Sequence, residues 1–433
     1  MTSTITSEAC RSIRWVGLLG LLVAAAGCER SAPTTLVAQP MPVPVPVTSV
    51  VPQLSTTSTG DLLLSWLEPR SGNGYRFRVA TRHGDTWTDP ITIDDSQDVS
   101  SFGADLPGVA ESPDGTWLAY WERHDPRAID DVYATDIHLA RSTDRGRTWT
   151  PLASPHHDDV SGQHSFMSAF VADRELGLVW LDAQQQHRVH TPAAAATPEK
   201  DEYLGAVGLR YASFGPEGRQ TADTFIDPIT CECCPTAAAV TARGPVVAYR
   251  DRVTPSGARP VDIRYETATV RDISLVRLEN GRWTEPRRVH ADNWTINLCP
   301  DNGPAVDAIG NRLAVAWWTA ADDRPHVSVA FSDDAGDTFG APIRADVKAA
   351  DGQVTVAAVD QGRGAVVGWL EDHQTWARWI GADGRLGPPL SLGSAPNHAR
   401  LPRWIAVNDG VLAVWNDETR GQRSVHMARL VRK

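Results

Sequence analysis

The residues best suited to chemistry are clustered. Asp227-Pro228-Ile229-Thr230-Cys231-Glu232-Cys233-Cys234-Pro235-Thr236 carries three cysteines, and Asn293-Trp294-Thr295-Ile296-Asn297-Leu298-Cys299-Pro300-Asp301-Asn302-Gly303 carries a fourth. A run ahead of them adds His156, His157, Asp158, Asp159 and His164. Three readings stay open. In an oxidising compartment these cysteines read as one or two disulfides. Adjacent Cys233 and Cys234 could close only a strained ring together, so one of them with Cys299 is the easier bridge. As thiolates, Cys231, Cys233, Cys234 and Cys299 beside His156 and His164 would suit copper or zinc, although the spacing follows no standard zinc pattern. A redox-active pair is the third reading. No other cofactor is called for.

A second constellation recurs. Seven times an apolar run closes in an aromatic residue, any residue, then usually an acid: Trp66-Leu67-Glu68, Tyr120-Trp121-Glu122, Trp180-Leu181-Asp182, Tyr249-Arg250-Asp251, Trp317-Trp318-Thr319, Trp369-Leu370-Glu371 and Trp415-Asn416-Asp417. Arginines follow in the same loops: Arg70, Arg123, Arg127, Arg250, Arg252, Arg324 and Arg420. These charges either pair to hold the loops or line a pocket. The fourth repeat is the most suggestive, with Tyr249-Arg250-Asp251-Arg252, Arg264-Tyr265-Glu266 and Arg271-Asp272. An arginine pair binds a carboxylate through two hydrogen bonds, Tyr beside Glu could be a nucleophile with its base, and two nearby carboxylates could cleave a glycosidic bond. The catalytic candidates are Asp251, Glu122, Tyr249 and Glu266. The substrate-binding candidates are Arg250, Arg252, Arg271 and Arg123.

The elements that must position these residues follow from the repeat. Its aromatics lie roughly 46 to 69 residues apart, a period of propellers and solenoids. Around the fifth repeat the alternating and β-branched runs, bounded by Gly, Asp, Asn and Pro, predict four strands near 303–306, 312–318, 326–331 and 342–345. The last repeat supplies three strands, 402–407, 411–415 and 424–430, and 47–51 is expected to close the ring as their fourth. The chain therefore reads as one all-β propeller of four-stranded blades over 46–433, seven blades by repeat count with six as the alternative. In such a blade the second-to-third loops and the blade connections share one face. All the candidates above fall there.

Two turns are sharper. Ser142-Thr143-Asp144-Arg145-Gly146-Arg147-Thr148-Trp149 and Ser332-Asp333-Asp334-Ala335-Gly336-Asp337-Thr338-Phe339 match Ser-x-Asp-x-Gly-x-x-aromatic. Ser and Asp are expected to cap turn amides, Gly to take positive φ, and the aromatic to pack beneath. On these turns the chain resembles the sialidase superfamily of Asp-box (BNR) propellers, and the resemblance covers nearly its whole length. It implies a sialidase-like fold, an active site on the face opposite these turns, and an exo-sialidase-like glycoside hydrolase. The family's Arg-Ile-Pro motif is missing. Tyr75-Arg76-Phe77-Arg78 is its nearest counterpart and does not match, so no family catalytic residue carries over. A non-catalytic propeller binding glycan or metal, and a scaffold or adhesion protein, are the alternatives.

Residues 1–28 read as a bacterial export signal. Arg11 and Arg14 precede an apolar stretch too short to span a bilayer, and Ala25-Ala26-Gly27-Cys28 resembles a lipobox, implying lipidation of Cys28. Glu29 at the following position implies the outer membrane of a Gram-negative envelope. Residues 29–45, with prolines at 40, 42 and 44 and another just beyond at 46, read as a semi-rigid tether. The formal charge of −12 becomes −13 once Glu8, Arg11 and Arg14 leave with the signal. An acidic exported chain without a basic run is a poor partner for nucleic acid and meets the membrane through its lipid alone. The expected partner is a glycan or another small anionic ligand.

Overall fold

The structure, a computed structural model, describes residues 34–433 apart from 101–106, 129–130, 132, 158–159, 192–199, 255, 257–267, 396–401 and 420. Glu266 and Cys28 lie outside the described residues. The chain is a β-propeller of seven four-stranded blades. In blades 1 to 6 the strands follow sequence order from the innermost strand outward, and neighbouring strands are antiparallel in every blade. The innermost strands are Val50–Thr56, Gly108–Glu111, His164–Ala172, Ala237–Thr241, Ala305–Ile309, Gly352–Val359 and Arg403–Val407, in blades 1 to 7.

Composition follows position in the blade. A second strand is covered on both faces by neighbouring blades, and Gly364–Glu371 is accordingly buried at every residue. An outer strand has one face in water, as the alternation of Gln220–Asp227 shows. The aromatic positions of the repeat are the core: Trp66, Trp180, Trp317 and Trp369 are at most 1% exposed. Burying one such ring contributes about 4 to 6 kcal/mol as an upper bound.

In blades 3 and 6 the acid two residues later belongs to the same device. Trp180 donates its indole N–H to Asp182 and Trp369 donates to Glu371. Glu371 also accepts the backbone N–H groups of Val347 and Lys348, which fastens the incoming blade connection. Blade 5 has Thr319 at this position, and Trp317 there donates to Asp292 of the preceding connection instead, at 2.7 Å. Glu68 faces Arg76 and Arg78, and Asp417 accepts from Ser394. The repeated acids are thus largely engaged in holding loops.

Ring closure departs from expectation. The fourth strand of blade 7 is Leu36–Met41, paired with Gln422–Arg432 from Leu36↔Arg432 to Met41↔Met427. Residues 47–51 do not supply it, since Val50 already opens blade 1. Part of the expected tether is therefore inside the propeller. Pro40 is tolerated because an outermost strand does not need every N–H for its ladder.

The turns at Ser142 and Ser332 close identically. Ser Oγ accepts the N–H of Gly146 or Gly336, and Asp Oδ1 accepts that of Thr148 or Thr338, at 2.8–2.9 Å. Gly146 and Gly336 have φ of +81° and +88°. Threonine hydrogen bonds hold the Asp144 carboxyl down at about 2, and outweigh burial to do the same for Asp334.

Candidate functional site

The face carrying the blade connections also carries the insertions into the repeat. A hairpin of His187–Thr191 and Lys200–Leu204 extends the second-to-third loop of blade 3, and Thr269–Val270 pairs with Thr295–Ile296 beside blade 4. Beneath them a polar arc crosses blades 2, 3 and 4.

Its centre is stapled. Cys231 is bonded to Cys234 and Cys233 to Cys299, with Cα separations of 5.6 and 6.1 Å. Paired in this way, the four sulfurs offer no thiolate to a metal ion. The second bond joins the connection before blade 4 to the one after it. These connections touch so closely at Gly303 that a Cβ there would lie 2.0 Å from the Pro235 carbonyl oxygen.

Between the cysteines sits Glu232, which sequence reasoning had left unassigned. One carboxylate oxygen accepts from Arg252 at 3.1 Å and from Arg271 at 3.3 Å, and Thr269 Oγ1 accepts from both Nε atoms. Both arginines are buried. Arg250 donates to the carbonyl oxygens of Asn302, Arg271 and Trp318 and lies 5.1 Å from the Trp294 ring centroid. Burial first, then the neighbouring Arg271 charge, push its guanidinium down to about 9. It braces the connections.

The other candidates are placed as follows. Asp251 is buried, accepting the Arg252 N–H and the Ser274 hydroxyl. Tyr249 is 1% exposed and donates to Asp227 at 2.6 Å, inside the core, where a large substrate cannot meet its hydroxyl in this conformation. Glu122 is buried at the end of its strand. Arg123 donates to Asp94 at the junction of blades 1 and 2, away from Arg252 and Arg271. The structure therefore does not assemble Tyr249, Asp251 and Glu122 into one accessible pocket.

It does assemble the histidines. His156 and His164 stack with ring centroids 3.8 Å apart and planes 6° from parallel, and both are buried. His164 Nδ1 donates to the Thr135 carbonyl at 3.0 Å, which makes Nε2 the basic nitrogen of the neutral ring. His156 Nε2 accepts the Ile137 N–H at 3.3 Å and lies 3.7 Å from Asp136, a residue that sequence spacing did not flag because it enters from the third strand of blade 2. Ligand atoms of Asp136, His156 and His164 lie within 4.8 Å of one another. The in-plane lone pairs of these parallel rings neither converge on one point nor face each other, so the stack favours neither coordination of one ion by both rings nor a proton shared between them. Gln163 joins the two halves of the arc, donating to Ser165 Oγ and to the Glu232 carbonyl.

No protein-family model matches the chain, and no curated protein matches it. Among solved structures, an ulvan lyase described as a new family of polysaccharide lyase is 12% identical with a TM-score of 0.53, covering 93% of this chain and 96% of its own. The polysaccharide lyase Uly1 is 10% identical with a TM-score of 0.51, covering 88% and 89%. The NanB sialidase of Streptococcus pneumoniae is 9% identical with a TM-score of 0.42, covering 91% and 70%. Identities this low speak for a shared propeller fold, and the last likeness is too distant to carry more.

Proposed function

We propose that this chain is an exported, lipid-anchored propeller that cleaves an anionic glycan at the cell envelope by acid–base catalysis. The observation that carries the reading is the stacked His156–His164 pair against Asp136, joined through Gln163 to the Glu232–Arg252–Arg271 cluster; His164 and Arg271 are as buried as Tyr249 in this conformation, so the reading requires the site to open for substrate. Histidine exchanges protons near neutral pH, and the Nε2 atom of His164 is the nitrogen that would accept one proton and return it. The two guanidiniums already hold one carboxylate, and an acidic sugar offers the same group. Two propellers of similar fold are polysaccharide lyases, which supports a glycan as the substrate class. The test incubates the purified protein with neutral and acidic polysaccharides and sialoglycans, following reducing ends, unsaturated product and released sialic acid. Acidic substrates should be preferred, and His164→Gln should lose about 100- to 10,000-fold in kcat while remaining folded. A fully active His164→Gln would end this assignment. Burial of Arg252 and Arg271 favours one alternative, a propeller that binds glycan without turnover, and binding without product would select it.

Export rests on the signal and the lipobox, and two disulfides suit an oxidising compartment. Cys28→Ala should move the protein from the membrane fraction to the soluble periplasmic fraction. Membrane retention of that variant would contradict a lipid anchor at this residue.

A further inference from the structure

We propose that Arg403, Gln53 and Tyr120 build an oxyanion-binding site where the innermost strands of blades 7, 1 and 2 adjoin, at the end nearer the blade connections. These residues come from three consecutive blades. Arg403 opens the innermost strand of blade 7, Gln53 follows the register shift in the innermost strand of blade 1, and Tyr120 is on the second strand of blade 2. The site lies outside the polar arc and does not depend on the cleavage chemistry.

Each member presents a donor with no acceptor among the described residues. Arg403 Nε donates to Gln53 Oε1 at 3.1 Å. That bond fixes which way the amide points, because the opposite assignment would set two donors against each other. Gln53 Nε2 is then left buried without a hydrogen-bond partner. No carboxylate pairs with Arg403 among the described residues. Burial pushes its guanidinium down to about 10, and Tyr120 is the one titrating neighbour that acts on it.

Tyr120 reaches the innermost strand because residue 108 is glycine. A Cβ on Gly108 would lie 2.3 Å from the tyrosine oxygen, so any side chain there would exclude the hydroxyl. Burial pushes this phenol up to about 12 against the opposing pull of Arg403, so it remains a donor at any physiological pH.

A half-buried cation without a counter-charge, flanked by an unused amide N–H and a protonated phenol, is expensive unless an anion completes it. The complement of a guanidinium fork with two further donors is an oxyanion. Two sources share that chemistry: the carboxylate of a sugar acid, and an inorganic tetrahedral ion.

The experiment titrates the purified protein by calorimetry with glucuronate, sulfate and phosphate at matched ionic strength, with chloride as comparator. Saturable binding of glucuronate above the others identifies a carboxylate site, and of sulfate or phosphate an inorganic-ion site. Binding no different from chloride overturns the proposal. Arg403→Met should weaken the preferred anion by about 10- to 150-fold, the worth of one charge-assisted bond. Without anion its melting midpoint should equal or exceed that of the wild type, because an uncompensated charge has gone. An Arg403 serving only the fold would instead lower the midpoint and leave anion affinity unmoved. If Arg403→Met does not fold, Tyr120→Phe carries the test by removing one donor, with an expected loss of about 3- to 10-fold in affinity. Unaltered affinity in Tyr120→Phe would then overturn the site.

Discussion

A Cys233→Ser/Cys299→Ser variant should unfold at a clearly lower temperature than the wild type, and by more than a Cys231→Ser/Cys234→Ser variant. The reason is loop length. The Cys233–Cys299 bond closes 66 residues of sequence and the Cys231–Cys234 bond closes three. Loop-closure entropy then assigns about 4 kcal/mol to the first and about 2 kcal/mol to the second. Calorimetric scans of both variants, with and without reductant, check the order. Wild type insensitive to reductant, or the two variants equal, would dispose of it. The long loop spans all of blade 4, and Glu232 sits beside one end of the bond. Its loss should therefore also loosen the seat of Arg252 and Arg271.

The second large effect is expected at Glu371. Its buried carboxylate accepts from Trp369 and from two backbone N–H groups of the preceding connection. Glu371→Ala removes all three acceptor contacts and strands the donors, at a cost of about 3 to 5 kcal/mol. Asp417 occupies the equivalent position of blade 7, with a side chain 14% exposed that accepts the Ser394 hydroxyl at 2.6 Å and lies 3.7 Å from His426. Asp417→Ala should cost about 1 kcal/mol. Denaturant midpoints of the two variants make the comparison, and equal costs would show that Glu371 is not the anchor described.

These contrasts mark how far the sequence could be read. The blade count was legible because the aromatic recurs at the same place in every second strand, and repetition of a job repeats its residues. Thr319 was legible only as an exception, since its replacement, Asp292, comes from a different segment. The closing strand was misplaced because prolines at alternate positions look like a linker, whereas an outermost strand accepts Pro40. Of the candidate site, a bond from Cys299 to one of the adjacent cysteines followed from the difficulty of joining those two to each other, but spacing did not choose Cys233 over Cys234. Glu232 was in plain view between them, but nothing in the spacing pointed it at Arg252 and Arg271. Tyr249 looked like a nucleophile because residue type does not report burial. Asp136 and Arg403 were invisible for a simpler reason: each acquires its neighbours only when separate blades meet.

The pairing of Leu36–Met41 with Gln422–Arg432 also sets an order of events. Its partners stand at opposite ends of the described chain, and no intermediate of synthesis or translocation contains both until the last strand emerges. Contacts so distant in sequence form slowly. Until then the outer strand of the last blade is missing and an edge is open to pairing with another molecule. On the export route proposed above, that interval would fall after the chain has crossed the membrane, where chaperones of that compartment, and not those of the cytoplasm, would have to guard the seam.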